Sequence, residues 1–458
     1  MFRTKSTSRI LIGLALGAAI APAQTTPPAD PIAAYRQEIQ ELRKRLDELE
    51  QRVLVAQKKD EIKIEAVPVN PPSEVLANQD GFTLKSADGN FTARIGGYVQ
   101  VDGRSYFASN SPGPGTDTLL IRKLRPELKG TVFKYIDYRF LPDFGNASVV
   151  IYDAYLELKY FPRAALRVGK FKSPIGLERL QMDVDDWFTE LAPPTNLVPS
   201  RDIGYQLSGD LVKDRVAYQI GVFNGGVDNS TPDLDTNNGK DYDARIFLTP
   251  WKPSKKSILK GLGFGVAGSL GNQTGGVLPT YKAIGQDTFF AYNSTALAYG
   301  DRKRFSPQLD YFAGSLGIIA EFARNEQGVR KTAASPVVRL NHSAWQVEAA
   351  YLLTGEKKTF GSVTPRKIFD PSQHTWGAIE LVARSGALGV DRAAFTSGLA
   401  DPSKSARYER EYAVGVNWYL NRATKFQLDF GHTGYSAGAV GGNRPSEKYI
   451  LTRFQLYI

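Results

Sequence analysis

Apolar and polar residues alternate along most of the chain from residue 81 to the C-terminus. The last segment places Phe454, Leu456 and Ile458 on one face, and Arg453 and Gln455 on the other. This period of two predicts antiparallel strands with one apolar and one polar face, because strands buried on both faces would be apolar throughout. About 16 such segments fit into residues 81–458, with turn residues between them.

The polar faces of these segments carry charges, and aromatic residues gather near the segment ends. A soluble β-sandwich would also alternate, but charged polar faces and aromatic ends are typical of barrels in membranes. We therefore predict an all-β fold for residues 81–458, a transmembrane antiparallel β-barrel of about 16 strands. A barrel of that size is wide enough for a water-filled channel.

One long stretch, Pro174–Ser200, interrupts the alternation with 27 residues that follow neither a strand nor a helix period. Structureless segments of this length inside a compact domain usually have a function. We predict that this connection, the third long loop, folds inward into the barrel. Gly176 allows a sharp turn of the backbone there, and Arg179 is the one basic residue of the span.

A different period precedes the barrel, at residues 24–63. Its apolar residues are spaced alternately by three and four positions: Ile32, Tyr35, Ile39, Leu42, Leu46, Leu49, Val53 and Ala56. This heptad pattern over about four repeats predicts a coiled-coil helix, and a lone amphipathic helix is the alternative. Residues 64–80 are predicted to be a linker, because the proline-rich run VPVNPP cannot continue a helix.

The first 23 residues have the pattern of a secretory signal peptide. Arg3, Lys5 and Arg9 precede an apolar run from Ile10 to Ile20, and Ala21-Pro22-Ala23 supplies a small-residue cleavage site. The apolar run is much shorter than the ~20 residues that a membrane-spanning helix needs. The chain is therefore predicted to be exported, with the barrel in the bacterial outer membrane and the coiled-coil helix in the periplasm.

Composition narrows the chemistry of the barrel. The chain has no cysteine, which excludes disulfides and thiolate metal sites. Its formal net charge is +10, and residues 81–458 alone also carry +10, because the signal peptide (+3) and residues 24–80 (−3) cancel. For an exported barrel, this excess indicates passing anions or anionic lipid headgroups rather than nucleic acid. Scattered solvated lysines are the alternative explanation.

Motifs for cofactors or catalysis are incomplete. Gly263-x-Gly265-x-x-Gly268 matches a dinucleotide fingerprint but lies inside a predicted strand. The acidic run at 233–241 lacks the glycine and glutamate of a calcium loop. We expect no cofactor and no metal, and a channel rather than an enzyme, with a hydrolytic barrel as a remaining alternative.

Several motifs resemble the phosphate-selective porin O/P family. They are DGNFTARIGGYVQVD (88–102), GKFKSPIGLER (169–179), LTGE (353–356), VGVNWYLN (414–421) and the terminal strand, and the resemblance spans roughly residues 80–458. It implies a homotrimer of 16-stranded porins whose third loop folds inward, with a basic funnel that leads to an anion site.

The resemblance also implies roles for single residues. Arg179 follows Gly-Leu-Glu on the loop and is the first candidate for an anion contact, while Arg122 and Lys123 match a basic pair on the second strand. Asp153 matches an acidic position on the fourth strand, and Tyr98 stands where family members can carry arginine. Further candidate pore-lining bases come from the loop entry and the polar strand faces: Lys172, Arg125, Lys129, Arg139, Lys159 and Arg167.

The expected function is passive diffusion of small anions, with phosphate or polyphosphate as the solutes that the resemblance implies. The inward loop favours a first alternative, a weakly selective general-diffusion porin, since its one base faces five carboxylates: Glu178, Asp183, Asp185, Asp186 and Glu190. A second alternative is a tether whose coiled coil binds peptidoglycan while the barrel anchors it in outer-membrane lipid. Each of these candidate bases also has a structural alternative, a salt bridge across the barrel wall.

Overall fold

The computed structural model of the chain describes residues 31–65, 73–78, 81–107, 116–235, 237–254, 256–438 and 445–458. The predicted signal peptide and most of the predicted linker lie outside these residues. Two units are described, a long helix and a β-sheet structure. Among the described residues, no helix combines the length and the apolar character needed to cross a membrane.

Three α-helices and 22 strands make up these units. The helices are α1 (Pro31–Glu65), α2 (Leu177–Leu180) and α3 (Ala393–Thr396). The strands are β1 (Glu74–Asn78), β2 (Gly81–Lys85), β3 (Thr92–Phe107), β4 (Thr118–Val132), β5 (Ile136–Asp143), β6 (Val150–Phe161), β7 (Ala164–Phe171), β8 (Asp202–Val212), β9 (Val216–Phe223), β10 (Asp241–Leu248), β11 (Leu262–Gly276), β12 (Tyr281–Lys282), β13 (Thr288–Phe290), β14 (Leu297–Ala313), β15 (Leu316–Arg330), β16 (Val338–Leu352), β17 (Phe369–Asp370), β18 (Thr375–Trp376), β19 (Ala378–Gly389), β20 (Ala406–Tyr419), β21 (Thr424–Gly438) and β22 (Glu447–Tyr457).

Sixteen of these strands form a closed antiparallel barrel, as the alternation predicts. They are β3 to β11, β14 to β16 and β19 to β22, and each pairs with the next in chain order. The last strand closes the barrel on the first, with Arg453 opposite Asp102 and Phe454 opposite Val101. A short hairpin precedes the barrel, since β2 pairs with the first residues of β3, and β1 extends it by one strand.

The two faces of the barrel wall are the reverse of those of a soluble protein. On β22, Phe454 and Leu456 are 49% and 43% exposed, whereas Arg453 and Gln455 are buried. The same holds on β20, where Val414 points outward and is exposed. Apolar side chains therefore face out and polar ones face in, which is the arrangement of a barrel in lipid and excludes the soluble sandwich.

The two rims of the barrel differ in the length of their connections. One rim, here called the short-turn rim, has tight turns such as residues 133–135 and 162–163. Aromatic pairs lie at this rim, for example Tyr135 stacked on Tyr160 with ring centroids 5.2 Å apart. The opposite rim, the long-loop rim, carries the long connections, among them residues 172–201, here called the inward loop. This asymmetry is typical of outer-membrane barrels.

Helix α1 covers most of the region predicted to be a coiled coil. Its apolar seam is open to solvent in the single chain, with Leu42 and Leu49 57% and 58% exposed. An isolated helix with an exposed apolar stripe gains most of its stability from a partner. Self-association through this seam therefore stays a prediction.

Candidate functional site

The inward loop is the third long loop, and it lies buried within the barrel as predicted. It is not structureless, because it contains the one-turn helix α2 and a 3-10 turn at Pro193–Leu197. Gly176 begins the helix with a φ of 90°, and a Cβ there would lie 2.9 Å from the side chain of Val198. A residue other than glycine would therefore be strained at this turn.

Apolar contacts hold one flank of the inward loop against the barrel wall. Leu177, Trp187 and Phe188 are at most 2% exposed and pack against a wall cluster that includes Ile319 and Val382. Burying such side chains contributes about 1.5–3 kcal/mol each. The loop thus covers one side of the lumen and leaves the wall of β4 to β8 facing the remaining space.

Polar side chains of β3 and of β20 to β22 hold the loop backbone. Four amides, here called the amide ladder, donate to successive loop carbonyls: Gln100 to Asp183 (3.0 Å), Gln455 to Val184 (3.0 Å), Gln427 to Asp186 (3.2 Å) and Asn417 to Trp187 (2.9 Å). Buried carbonyls without such donors would be costly. The ladder therefore fixes the path of the loop across the lumen.

A second inward segment supports the loop from the short-turn rim. The connection between β16 and β19, residues 353–377 and here called the long turn, is much longer than the other turns of that rim. Gln181 donates to the carbonyl of Phe360 at 2.9 Å, and Ser362 donates to Asp185 at 2.5 Å. The Lys358 ammonium lies 4.5 Å from the ring centre of Trp187. The inward loop is thus held between the wall and the long turn.

A polar cavity of about 110 Å³ lies between the inward loop and the opposite wall. This cavity, here called the constriction cavity or constriction, is lined by six bases and four carboxylates, together with amides and hydroxyls. The bases are Arg122, Lys123, Lys172, Arg179, Arg201 and Lys282, and the carboxylates are Glu178, Asp183, Asp186 and Glu190. Bases therefore exceed carboxylates by two around the constriction.

Asp183 is the centre of the ion pairs at this constriction. Four bases lie within ion-pair distance of its carboxylate: Lys123 at 2.9 Å, Arg125 at 2.5 Å, Lys172 at 3.4 Å and Arg201 at 3.5 Å. Burial alone would raise the pKa of the carboxyl, but these cations outweigh it and hold the pKa well below its usual range. Asp183 therefore stays ionised and neutralises only part of the charge of its neighbours.

Glu190 forms the second ion-pair centre. Its carboxylate contacts Arg104 at 3.0 Å and accepts two hydrogen bonds from Arg122, at 3.1 and 3.2 Å. Burial opposes ionisation, yet Arg122 lowers the pKa of Glu190 to about 2. The bases of the constriction are thus grouped around two carboxylates, Asp183 and Glu190, each of which contacts more than one guanidinium or ammonium group.

Arg179, the first predicted anion contact, lines the cavity but has no carboxylate partner among the described residues. One terminal nitrogen donates to the carbonyl of Thr195 at 2.9 Å and to the side chain of Asn229 at 2.5 Å. The Nε atom is buried and lacks a hydrogen-bond partner. Burial lowers the pKa of the guanidinium, but arginine keeps its charge in proteins. Arg179 is therefore a fixed positive charge with donor capacity to spare.

The other predicted site residues divide into two groups. Lys172, Arg122 and Lys123 line the cavity, and Arg125 reaches it through Asp183. The remaining bases form a ladder of ion pairs on β4 to β7, outside the cavity lining: Lys129 and Arg139 with Glu127, Arg139 with Asp153, and Lys159 and Arg167 with Glu157. Arg139, Lys159 and Arg167 thus form the salt bridges between strands that were the alternative, whereas Lys129 pairs with a neighbour on its own strand.

The sequence analysis did not single out two bases of the constriction. Arg201 ends the inward loop, lies over the Tyr152 ring at 3.9 Å and pairs with Asp153 at 3.3 Å. Lys282 comes from residues 277–296, here called the capping loop, and its backbone exchanges hydrogen bonds with the side chain of Asn196. Arg201 could have been found from its place at the loop end, whereas Lys282 had no local signal.

The capping loop covers the cavity from the long-loop rim. Its side chains Tyr281, Phe289 and Phe290 are at most 1% exposed and pack in one cluster with Leu197 of the inward loop and Leu399. These contacts bring Lys282 over the cavity, although it is separated from the inward loop by about 80 residues of chain. Among the described residues, no cluster of three or more histidine or acidic side chains is arranged to hold a metal ion.

The sequence of the barrel matches a family model described as phosphate-selective porin O and P over residues 94–458. The chain belongs to this family. The porin is therefore a channel-forming protein of the outer membrane. No curated protein sequence matches the porin.

Solved structures share the fold of this porin at low sequence identity. The outer membrane channel DcaP of Acinetobacter baumannii has a TM-score of 0.53 and 13% identity, with coverage of 82% of this chain and 99% of that chain. OmpTdeltaL8, a loop deletion mutant of an outer membrane protein of Vibrio cholerae, has a TM-score of 0.50 and 11% identity, covering 81% and 100%. A trimer form of in-vitro folded OmpT has the same TM-score and identity, covering 80% and 99%. At these identities the matches show the fold.

Proposed function

We propose that this porin lets small anions cross the outer membrane by passive diffusion, with phosphate-like ions among them. The observation that carries the proposal is the unpaired charge of Arg179 in a cavity where bases exceed carboxylates by two. Such a lining raises the local anion concentration and replaces part of the hydration that an anion loses. The Nη1 atom of Arg179 has no hydrogen-bond partner among the described residues, and a hydrogen bond from a guanidinium to a phosphate oxygen is strengthened by the charges of both groups.

A reversal-potential measurement tests the proposal. The purified porin is placed in a planar bilayer between unequal concentrations of potassium chloride, and then of potassium phosphate. We expect a potential of the sign that marks anion preference in both salts. A potential near zero would instead support the weakly selective general porin, which the four carboxylates of the lining favour.

The anion preference is expected to increase as pH falls from about 7.5 to about 5. Burial raises the pKa of Asp186 to about 6, with Lys123 opposing and Asp183 adding to the shift. Its other charged neighbours are the bases Lys172, Arg453 and Lys425 and the carboxyls of Glu178 and Glu348. A carboxyl with a raised pKa is neutral below that pKa, so acid removes one negative charge, while Asp183, with its lowered pKa, keeps its own. The interaction of one unit charge with an ion a few ångströms away is worth about 1 kcal/mol in water, so its loss should raise the ratio of anion to cation permeability roughly fivefold.

The measurement is the reversal potential at both pH values in unaltered porin and in Asp186→Asn. At both pH values, the reversal potential of the variant should equal that of the unaltered porin at about pH 5. An equal pH response in the variant would assign the titration to another group.

We further propose that three copies associate, that residues 1–23 are removed on export, and that α1 lies in the periplasm beyond the linker 64–80. The exposed heptad seam of α1 supports the first point, and the trimer form of one structural neighbour is consistent with it. The short-turn rim would face the periplasm, as in other outer-membrane barrels. The apolar outer wall would contact outer-membrane lipid. Binding of peptidoglycan by α1 is a separate possibility, tested by pull-down after deletion of residues 24–72.

Replacing Leu42 and Leu49 with glutamate is expected to weaken the trimer. Each leucine would lose roughly 2 kcal/mol of burial and place a charge in the seam. The fraction of trimer after mild detergent treatment, measured by light scattering, reports the effect. The matched control is Gln40→Glu with Gln51→Glu, which adds the same charges to exposed positions outside the seam. Equal trimer fractions in both variants would show that the seam is not a contact of the trimer.

A further inference from the structure

Of the charged side chains that line the constriction cavity, Arg179, Asp186 and Lys282 form no ion pair with a described residue, and Lys282 is the exposed one. Arg179 is 6% exposed, and its guanidinium contacts a carbonyl and an amide but no carboxylate among the described residues. A buried charge is costly unless it is paired or fully hydrogen-bonded, and the Nε atom of Arg179 is neither. That Nε atom is itself enclosed, but the Nη1 atom has no hydrogen-bond partner among the described residues and is not fully buried, so it is the part of the cation that a solute can reach.

Asp186 is the anionic counterpart. It is 4% exposed and lines the same cavity, and no described residue donates a hydrogen bond to its carboxylate or forms an ion pair with it. Its position is nevertheless fixed, because its backbone carbonyl accepts from Lys425 at 2.9 Å and from Gln427 at 3.2 Å. The carboxylates of Asp183 and Glu190, by contrast, are used by ion pairs.

Neutral polar groups complete the lining. Gln181, Thr189, Thr195 and Asn196 supply hydrogen-bond donors and acceptors around the two charges. The cavity of about 110 Å³ has room for roughly seven to eleven water molecules by the same measure, since each needs about 10–15 Å³. A solute of roughly that many non-hydrogen atoms therefore fits without moving the inward loop.

We propose that the constriction cavity selects small organic acids that also carry an ammonium group. This inference rests on the proposed anion preference and adds a second determinant to it. The acid group of the solute binds at Arg179, and the ammonium group donates to the carboxylate of Asp186. A solute of net zero charge thus satisfies both unpaired groups, whereas an ion with negative charge at both ends meets Asp186 unfavourably.

Two solutes of nearly equal shape separate this proposal from simple anion passage. Alanine and lactate differ in having an ammonium or a hydroxyl group on the same carbon. The experiment measures efflux of each labelled solute, at zero membrane potential, from liposomes that contain the full-length porin. We expect Asp186→Asn to slow alanine and speed lactate, so that the alanine-to-lactate ratio falls by roughly fivefold or more.

Three further variants make the result specific. Arg179→Gln should slow both solutes, because both carry a carboxylate, and Asp186→Glu should restore the alanine preference. The control Asp214→Asn removes a half-exposed carboxylate that pairs with Lys252 outside the cavity and should leave the ratio unchanged. An unchanged ratio in Asp186→Asn overturns the proposal.

The outcomes also distinguish this proposal from the proposed function. An anion-directed reversal potential together with an unchanged ratio overturns only the ammonium determinant. A reversal potential near zero in the unaltered porin overturns the anion preference and this inference with it. If Asp186→Asn does not assemble, the ratio in unaltered porin at about pH 5 and about pH 7.5 decides, because alanine keeps both charges over that range while Asp186 becomes neutral.

Discussion

Replacing Arg179 with glutamate is expected to lower the ratio of anion to cation permeability by roughly tenfold or more. The change reverses the charge of Arg179, the buried one of the two cavity bases, Arg179 and Lys282, that form no ion pair with a described carboxylate. A passing anion would then meet one positive charge fewer and one negative charge more at this cavity. Paired bases such as Arg122 are already compensated by Glu190, so they should matter less than Arg179.

The reversal potential in a salt gradient measures this effect. Arg36→Glu makes the same change of charge at an exposed position on α1, which contributes no strand to the barrel, and is the control. An unchanged reversal potential in Arg179→Glu would show that the carboxylates of the inward loop govern the ions, and the general-porin alternative would then be preferred. Arg179→Gln separates loss of the positive charge from introduction of a negative one.

Replacing Asp183 with asparagine is expected to destabilise the constriction more than any other single change of charge on the inward loop. Its carboxylate is the shared partner of Lys123, Arg125, Lys172 and Arg201. Removing one partner of a buried ion pair costs about 3–5 kcal/mol, because the remaining charges are left uncompensated. Those same charges should also increase anion preference in the channels that do assemble.

Thermal unfolding of the barrel in detergent, followed by gel mobility, measures the first effect, and single-channel recording measures the second. The control Asp214→Asn breaks an ion pair with Lys252 in which both side chains are at least half exposed. Exposed pairs contribute little, so the control should unfold at the temperature of the unaltered porin. Equal unfolding temperatures for the two variants would contradict the central role of Asp183.

The barrel was predictable because its signal is local. Alternation within a single strand, such as Arg453 and Gln455 against Phe454 and Leu456, already separates the inner from the outer face. The inward loop was predictable for a related reason, since its length and its lack of period stand out between two strands. Arg179, Lys172, Arg122 and Lys123 followed from the loop and from the resemblance, and the structure brings all four to one cavity.

What could not be predicted depends on contacts between distant parts of the chain. Lys282 reaches the cavity because the capping loop is buried by Tyr281 and Phe290, and no local pattern indicates which loop folds over which. The long turn has no strand or helix period, so the contact between Ser362 and Asp185 had no signal either. Which bases the loop carboxylates contact likewise depends on the part of the barrel wall that lies opposite the inward loop in the closed barrel.

Three of the four amides of the amide ladder belong to the last three strands of the barrel, β20 to β22. Asn417 and Gln455 bond loop carbonyls that precede them by 230 and 271 residues, so these anchors belong to the final strands to leave the ribosome. Until β20 to β22 are in place, the loop lacks those hydrogen bonds. The loop is therefore fully anchored across the lumen only when the last three strands of the wall are in place.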